Sequence, residues 1–442
     1  MQDCWSFLAS SRALALSSFI ENRCMWITGA LEQFVDTAYE QSPIVLQRKL
    51  FSRPLFSPSD ACKILTLLIE RNGLGWSANG LRVERLRLPS WHLGDGGQAD
   101  LERFIDEVCE LNGIDEFTIS AHNCHALLPE LQRKLVPFLG PLFERTGIPS
   151  NGVNLMVFGG KYRVTPAGLH NDPCDIFLAP IIGGKRLYTW PWQHFDGNEG
   201  REIPINVKSR RIDAPWRDYL GTASLFEPRA GDVLYFPAGR WHVNDYGVAE
   251  RSFSFGISIF KNLDIARSIA SMVASVERSQ AGGKRMPCVP KVDLHSLEQS
   301  IPLPPTIEAV VNELDEMLRL NVLQRASSVG FVTGLNASND NTGIGLHGSV
   351  RLSEGAKIFC VRCSDNRFAV IANGKVIKTD LDLHSLGVLQ RVANGFQVSA
   401  DELQSAQPGE SARCHELMGY LLAQGVLTQQ SEVHLQGDTG VI

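Results

Sequence analysis

Between Asn154 and Phe260 the chain alternates short apolar runs with Gly, Pro and Asp: LMVF, IFLAPII, LYTW, VLYF and FSFGISIF. Runs of this length, rich in β-branched and aromatic residues and bounded by turn formers, predict strands. A sheet made of such strands hides its edges by closing into a barrel. Upstream the period is different. Residues up to about 60 read as helical, then irregular around Ser52-Arg53-Pro54 and Ser57-Pro58. Asp100 is placed as the cap of a helix with Leu101, Phe104, Ile105 and Val108 on one face. The apolar stretch from His125 to Arg145 is interrupted by Pro129, Pro137 and Pro141, which predicts short, kinked helices.

Downstream of the strands, Ile265, Ile269, Met272, Val273 and Val276 keep helical spacing, followed by a Gly- and Pro-bearing linker from Gln280 to Pro305. Thr306 is expected to cap an amphipathic helix with Ile307, Val310, Val311, Leu314, Met317 and Leu318 on one side. In FAVIANGKVIK, Asn373-Gly374 suits a type I′ turn between two alternating strands. Leu383, Leu386, Leu389 and Val392 then mark a helix, and Ser399 with Glu402 forms a capping box for a second. Cys414, Leu417, Met418, Leu421 and Leu422 mark a third, and Val426-Leu427 returns as a strand. Three short helices and a hairpin predict a winged-helix-like unit. The fold class is therefore α+β, with residues 1–150 helical and irregular, 151–262 an all-β core, 263–335 helical and 336–442 winged-helix-like.

A chain of 442 residues exceeds one ordinary core, in keeping with this division. Hydrophobic content of 44% and charged content of 20% place it among globular proteins. The net charge of -6 offers no electrostatic case for nucleic acid. In residues 341–442, eight Lys and Arg stand against ten Asp and Glu, which disfavours a DNA-reading use of the last unit. The ten cysteines form no framework, and Cys360-x-x-Cys363 lacks the second pair that a zinc site would need. Asp3 and Arg12 interrupt any signal-peptide core, and no run is long and apolar enough for a membrane span. The expectation is a cytoplasmic protein with no membrane partner.

Chemistry concentrates in TPAGLHNDPCDIFLAPIIGGK. His170 and Asp172 stand two apart, so on a strand both side chains leave one face. Such a pair alone is common on surface strands. GDVLYFPAGRWH strings a turn, a strand, a second turn and His242 in order, and supplies a third ligand. Two His and one carboxylate leave coordination positions open, the arrangement of non-haem Fe(II) oxygenases. Lys185 follows a Gly-Gly turn and could hold the far carboxylate of a chelating co-substrate. Tyr188, Trp190, Trp192 and Trp241 are candidate pocket walls, and the polar insert from Gln193 to Arg217 a candidate cover for the barrel mouth. His122 and His125 could be a second metal or substrate contact; capping and packing are the simpler roles.

HNDPCDIFLAPIIGGKR and GDVLYFPAGRWHVNDYGVAERSFSFGIS resemble the JmjC oxygenases of the cupin superfamily, most of all the ribosomal oxygenases. The resemblance implies a double-stranded β-helix using Fe(II) and 2-oxoglutarate, with the metal on His170, Asp172 and His242. It places Lys185 on the 2-oxoglutarate C5 carboxylate, and Thr165 and Ser258 as further co-substrate contacts. It implies a dimerisation region after the barrel and hydroxylation of a protein or peptide side chain, with succinate and CO2 as co-products. The C-terminal unit also resembles small peptide-binding modules of the PqqD type. Hydroxylation of a free amino acid or other small molecule, and a non-catalytic cupin scaffold, are the alternatives.

Overall fold

The computed structural model describes residues 25–195, 205–206, 210–261, 305–331 and 346–430, apart from 79–80, 92, 95, 213–214, 347, 364, 400 and 404–407. The expected helix at Leu263–Glu277 and its linker lie outside the described residues. The chain divides into two compact units, Met1–Asn262 and Leu263–Ile442.

The first unit opens with α1 (Ala30–Thr37), β1 (Ile44–Leu46), α2 (Pro58–Glu70), β2 (Gly75–Ala78), β3 (Leu81–Val83), α3 (Gln98–Asn112), β4 (Phe117–Ala121) and α4 (Pro129–Thr146). Ser57-Pro58 is a helix start, not irregular chain: Ser57 and Asp60 form a reciprocal capping box with Pro58 at the first helical position. In α3 the cap position is Gly97. Asp100 sits three residues in and accepts from the Gly97 N–H at 2.8 Å. Its apolar residues Leu101, Phe104, Ile105 and Val108 are buried together, which is what their spacing requires.

The proline-broken stretch is one continuous helix, α4, with Pro137 and Pro141 inside it. Pro141 cannot donate to the carbonyl of Pro137, four residues back. The backbone N–H of Met25 donates to that carbonyl instead, at 3.1 Å, and Trp26 Nε1 donates to the next, Phe138, at 2.9 Å. Tertiary contacts thus replace the bond that sequence reasoning counted as lost.

Then come β5 (Val153–Val164), β6 (Leu169–Asn171), β7 (Asp175–Ile182), β8 (Leu187–Trp190), β9 (Ile205–Asn206), β10 (Arg211–Ile212), β11 (Ser224–Phe226), β12 (Val233–Phe236) and β13 (Trp241–Ile259). The strands divide between two facing sheets. The larger runs β1-β12-β7-β13-β5-β4-β2-β3, and the smaller joins β6, β8, β10 and β11 through the first residues of β13. The long β13 serves both, pairing β6 and β8 at Trp241–Asn244 and β5 and β7 beyond Glu250. Strands that wind alternately between two antiparallel sheets make a double-stranded β-helix.

Which face is inside is set by alternation. Along β13, Phe253, Phe255, Ile257 and Ile259 are fully buried on the outer face; Phe255 stacks on Phe56, just before α2, at 4.2 Å. The small residues of the other register, such as Gly256 and Ser258, face the interior. The apolar side of FSFGISIF therefore faces the helical layer, and its small polar side leaves room within the barrel. A Cβ on Gly256 would come within 2.8 Å of Met156 Cγ.

The second unit contains α5 (Pro305–Ser327), β14 (Ser349–Leu352), β15 (Ile358–Arg362), β16 (Phe368–Ala372), β17 (Lys375–Thr379), α6 (Leu383–Ala393), β18 (Val398–Ser399), α7 (Pro408–Ala423) and β19 (Leu427–Gln430). Asn373 and Gly374 both have positive φ, 46° and 74°, as a type I′ hairpin needs. That hairpin is not a wing on the sheet of the helices. It belongs to a separate sheet, β15-β16-β17, while β18-β14-β19 makes a second. Ser399 and Glu402 do form their reciprocal box, and among the described residues it opens a 3-10 turn, Asp401–Leu403. Leu383, placed on an apolar face from sequence, is 88% exposed, whereas Val388, Leu389 and Val392 are core. From α5, Leu320 and Leu323 pack on Ala369 and Ile371. Leu318 is exposed, and the side chains from Ile307 to Leu314 lie outside the described set.

Candidate metal centre

β6 delivers His170 and, one residue past its end, Asp172; the start of β13 delivers His242 directly opposite His170 in antiparallel register. The turn that follows Asp172 and the turn that precedes His242 are tied together. Gly239 N donates to the Asp172 carbonyl at 2.7 Å, and Ala238 N to Asp175 Oδ1 at 2.9 Å. Asp175 is itself buried and salt-bridged to Lys261. This clasp makes the Pro-Ala-Gly turn before His242 a fixed neighbour of Asp172.

One ligand atom from each of His170, Asp172 and His242 lies within 4.8 Å of the others. His242 Nε2 is 3.6 Å from Asp172 Oδ2, and the imidazole centroids are 4.2 Å apart. In each histidine Nδ1 meets a backbone carbonyl: Gly168 O at 2.8 Å for His170, Arg240 O at 3.0 Å for His242. A carbonyl only accepts, so Nδ1 carries the proton and Nε2 keeps its lone pair. Burial, and secondarily the nearby His170, push the His242 pKa down to about 4, so the ring is neutral. Two free imidazole lone pairs and a carboxylate on one face suit a first-row divalent metal and leave open positions.

The three residues lie in a cavity of about 750 Å³ inside the barrel, and Lys185, Thr165 and Ser258 line the same cavity. Lys185 is 4% exposed and has no carboxylate partner among the described residues. Among the described residues its Nζ donates to the Tyr162 hydroxyl, at 2.5 Å, with the Phe158 ring 5.2 Å away. Desolvation pulls its pKa down to about 7. Gly183 shapes the preceding turn: it has φ +63°, and a Cβ there would sit 2.3 Å from the Arg251 carbonyl oxygen. Thr165 Oγ1 is buried with no hydrogen-bond partner; Ser258 Oγ contacts Met156 Sδ at 3.5 Å. An ammonium without an anion and a hydroxyl without a partner suit an acceptor-rich dianion such as a dicarboxylate.

Two lining residues, Asn244 and Arg211, and the Lys185 partner Tyr162 were not singled out in the sequence. Asn244, two beyond His242 on the same face, accepts from Arg186 N at 3.0 Å through Oδ1 and leaves Nδ2 unpartnered. The strand alternation that placed His242 could have found it. Tyr162 meets Lys185 across the barrel, and Arg211 is the register partner of His170 on β10. Both pairings are tertiary and carry no local signal.

The expected aromatic walls lie elsewhere. Trp190 and Trp241 are register partners on the opposite face of the smaller sheet, packed with Leu169, Phe195, Ile212 and Trp216, with Tyr188 against the same cluster. Trp192 is half exposed. Alternation is the cause: with His242 facing in, Trp241 must face out. The insert lies largely outside the described residues, and its Trp216 joins that outer cluster. His125 is a buried packing residue whose pKa burial lowers to about 4, and His122 is 3.3 Å from Asn154 Nδ2 at the cavity. Neither joins a metal-ligating group among the described residues. No described helix is long and apolar enough to cross a membrane.

No protein-family model and no curated protein matches the chain. Among solved structures it is similar to YcfD, a ribosomal oxygenase from Escherichia coli. The complex of YcfD with cobalt and 2-oxoglutarate is 15% identical over 91% of this chain and 99% of that one, with a TM-score of 0.46. The complex with cobalt and succinic acid is 16% identical over 91% and 99%, with a TM-score of 0.43. A likeness at this level leaves the chemistry to be read from the side chains.

Proposed function

We propose that the chain is an Fe(II)- and 2-oxoglutarate-dependent oxygenase that hydroxylates a side chain of a protein or peptide. The observation that carries this reading is the shared cavity: three convergent ligand atoms and a buried, unpaired ammonium open into one space. His170, Asp172 and His242 would hold the metal through two Nε2 atoms and one carboxylate oxygen. Bound Fe(II) with 2-oxoglutarate supplies activation of O2 for C–H hydroxylation, the co-substrate leaving as succinate and CO2. Lys185 holds the distal carboxylate, with Tyr162, Thr165 and Asn244 offering further donors. Ile176, Leu178, Leu187 and Phe236 keep water from the reacting centre.

A macromolecular substrate fits the mouth. β3 is the edge strand of the larger sheet, and Leu81 on it is 73% exposed while lining the cavity. A chain segment can lie along this rim while one side chain enters. Succinate formation with Fe(II), 2-oxoglutarate and O2, measured across a peptide panel with product mass, tests the reading. A mass gain of one oxygen on a peptide, dependent on Asp172, is expected. Turnover with free amino acids and none with peptides would overturn the substrate assignment, and failure to hold a divalent metal would overturn the whole.

A further inference from the structure

Arg211 is an arginine of this cavity with no ion-pair partner among the described residues. It lies opposite His170 in register, lines the cavity and is half-buried. Its Nε is shut off from water without a hydrogen-bond partner, and no carboxylate pairs with it among the described residues. Several arginines of the unit are ion-paired, such as Arg217 with Asp245 at 2.9 Å, Arg251 with Asp106 at 2.6 Å and Arg145 with Glu32 at 3.1 Å; Arg240 also has an unpartnered Nε but does not line the cavity. A second cation, Arg82 on the edge strand, lines the same cavity and is likewise unpaired among the described residues. Among the described residues, Asp172 is the single acidic residue of the lining.

The charges sort as follows when the site is filled as proposed above, on which this step rests. A divalent metal and a dianionic co-substrate cancel, and Asp172 offsets Lys185. Arg211 and Arg82 remain, both towards substrate. A half-buried guanidinium that lines the cavity without a carboxylate partner among the described residues can receive one from the substrate through a charge-assisted, two-pronged contact. We infer that the substrate carries a carboxylate beside the carbon to be hydroxylated, an Asp- or Glu-bearing segment, received by Arg211 with Arg82 at the rim.

The test uses the full chain loaded with Mn(II) and 2-oxoglutarate, and reads paramagnetic relaxation of probe protons, which needs no turnover. The probes are N-acetyl-aspartate, N-acetyl-asparagine and N-acetyl-lysine methylamides. The aspartate probe should be held at least about tenfold more tightly than the other two, the discrimination one charged hydrogen-bonded pair provides. In Arg211→Gln that preference should vanish while 2-oxoglutarate is still relaxed by the metal, and Arg82→Gln, at an exposed position, should reduce it. Equal retention of the asparagine or lysine probe by the unaltered protein overturns the inference, as does a preference that survives Arg211→Gln. Loss of 2-oxoglutarate from Arg211→Gln would assign the arginine to the co-substrate instead and also overturn it. If the unaltered protein relaxes no 2-oxoglutarate, the reading of the site itself fails, and the inference with it.

Discussion

His170 and His242 are register partners on adjacent antiparallel strands, their imidazole centroids 4.2 Å apart. Each ring is oriented by a carbonyl two residues before it, Gly168 and Arg240. The strands thus set both the position and the tautomer of the ligands, so the site is formed before any ion arrives.

Removing a ligand should therefore remove the metal. Asp172→Ala and His242→Ala should each weaken Mn(II) binding by more than the roughly 10–100-fold that loss of an outer hydrogen-bond partner costs. Electron paramagnetic resonance of the free ion measures this. Undiminished binding in Asp172→Ala would exclude the triad.

Lys185 and Arg186 should behave oppositely. Lys185→Ala should raise the KM for 2-oxoglutarate by about tenfold or more. Arg186→Ala should leave it unchanged, because Arg186 turns to Glu227, 3.4 Å away, and does not line the cavity. With the Lys185 pKa near 7, the unliganded ammonium loses its proton as pH rises through neutrality, and 2-oxoglutarate affinity should fall with it. Lys185→Arg should flatten that dependence, since guanidinium stays charged. Stability runs the other way. Between about 7 and the ordinary lysine value of 10.5, the unfolded chain binds the extra proton, so the unliganded protein should gain stability from this group as pH rises.

Thr165→Val tests an orphaned hydroxyl. Its Oγ1 has no internal partner, so the nearly isosteric substitution breaks no hydrogen bond and should not lower Tm. If the hydroxyl serves the co-substrate, the KM for 2-oxoglutarate should rise by roughly three- to tenfold. A lower Tm with unchanged KM would make Thr165 structural.

Gly183→Ala should destabilise the protein by about 1–3 kcal/mol, because its positive φ is strained for any other residue and its Cβ would strike the Arg251 carbonyl. Since this turn leads into Lys185, 2-oxoglutarate binding should weaken as well. Thermal unfolding with and without 2-oxoglutarate separates the two effects.

The second unit should not bind DNA. Its residues 341–442 carry more acid than base, and phosphate contacts need cations. Fluorescence anisotropy with a duplex should show no steep salt-dependent binding by the full chain.

Much of this was readable in one dimension. Strand-length apolar runs, the two-residue offset of His170 and Asp172, and the Asn373-Gly374 turn depend on local periodicity and backbone preference, which neighbouring residues specify. The same alternation rule would have found Asn244 behind His242, and it turns Trp241 outward once the facing of the histidine is known. Facing itself was not local. In FSFGISIF the apolar register points to a helical layer contributed by residues more than a hundred positions away, and the small register points to the barrel interior.

What only the tertiary structure decided are relationships that long-range contacts create. Met25 supplies the donor that lets α4 continue through Pro141. Tyr162 meets Lys185, and Arg211 is left beside His170 with its Nε unpartnered among the described residues. The turn at Asn373 is legible in the sequence, but its hairpin joins a sheet of its own, because turn chemistry sets two strands and not their third neighbour. Local pattern determined the elements and the ligand types. The cavity, and the charges left unmatched within it, exist only where distant strands close on one another.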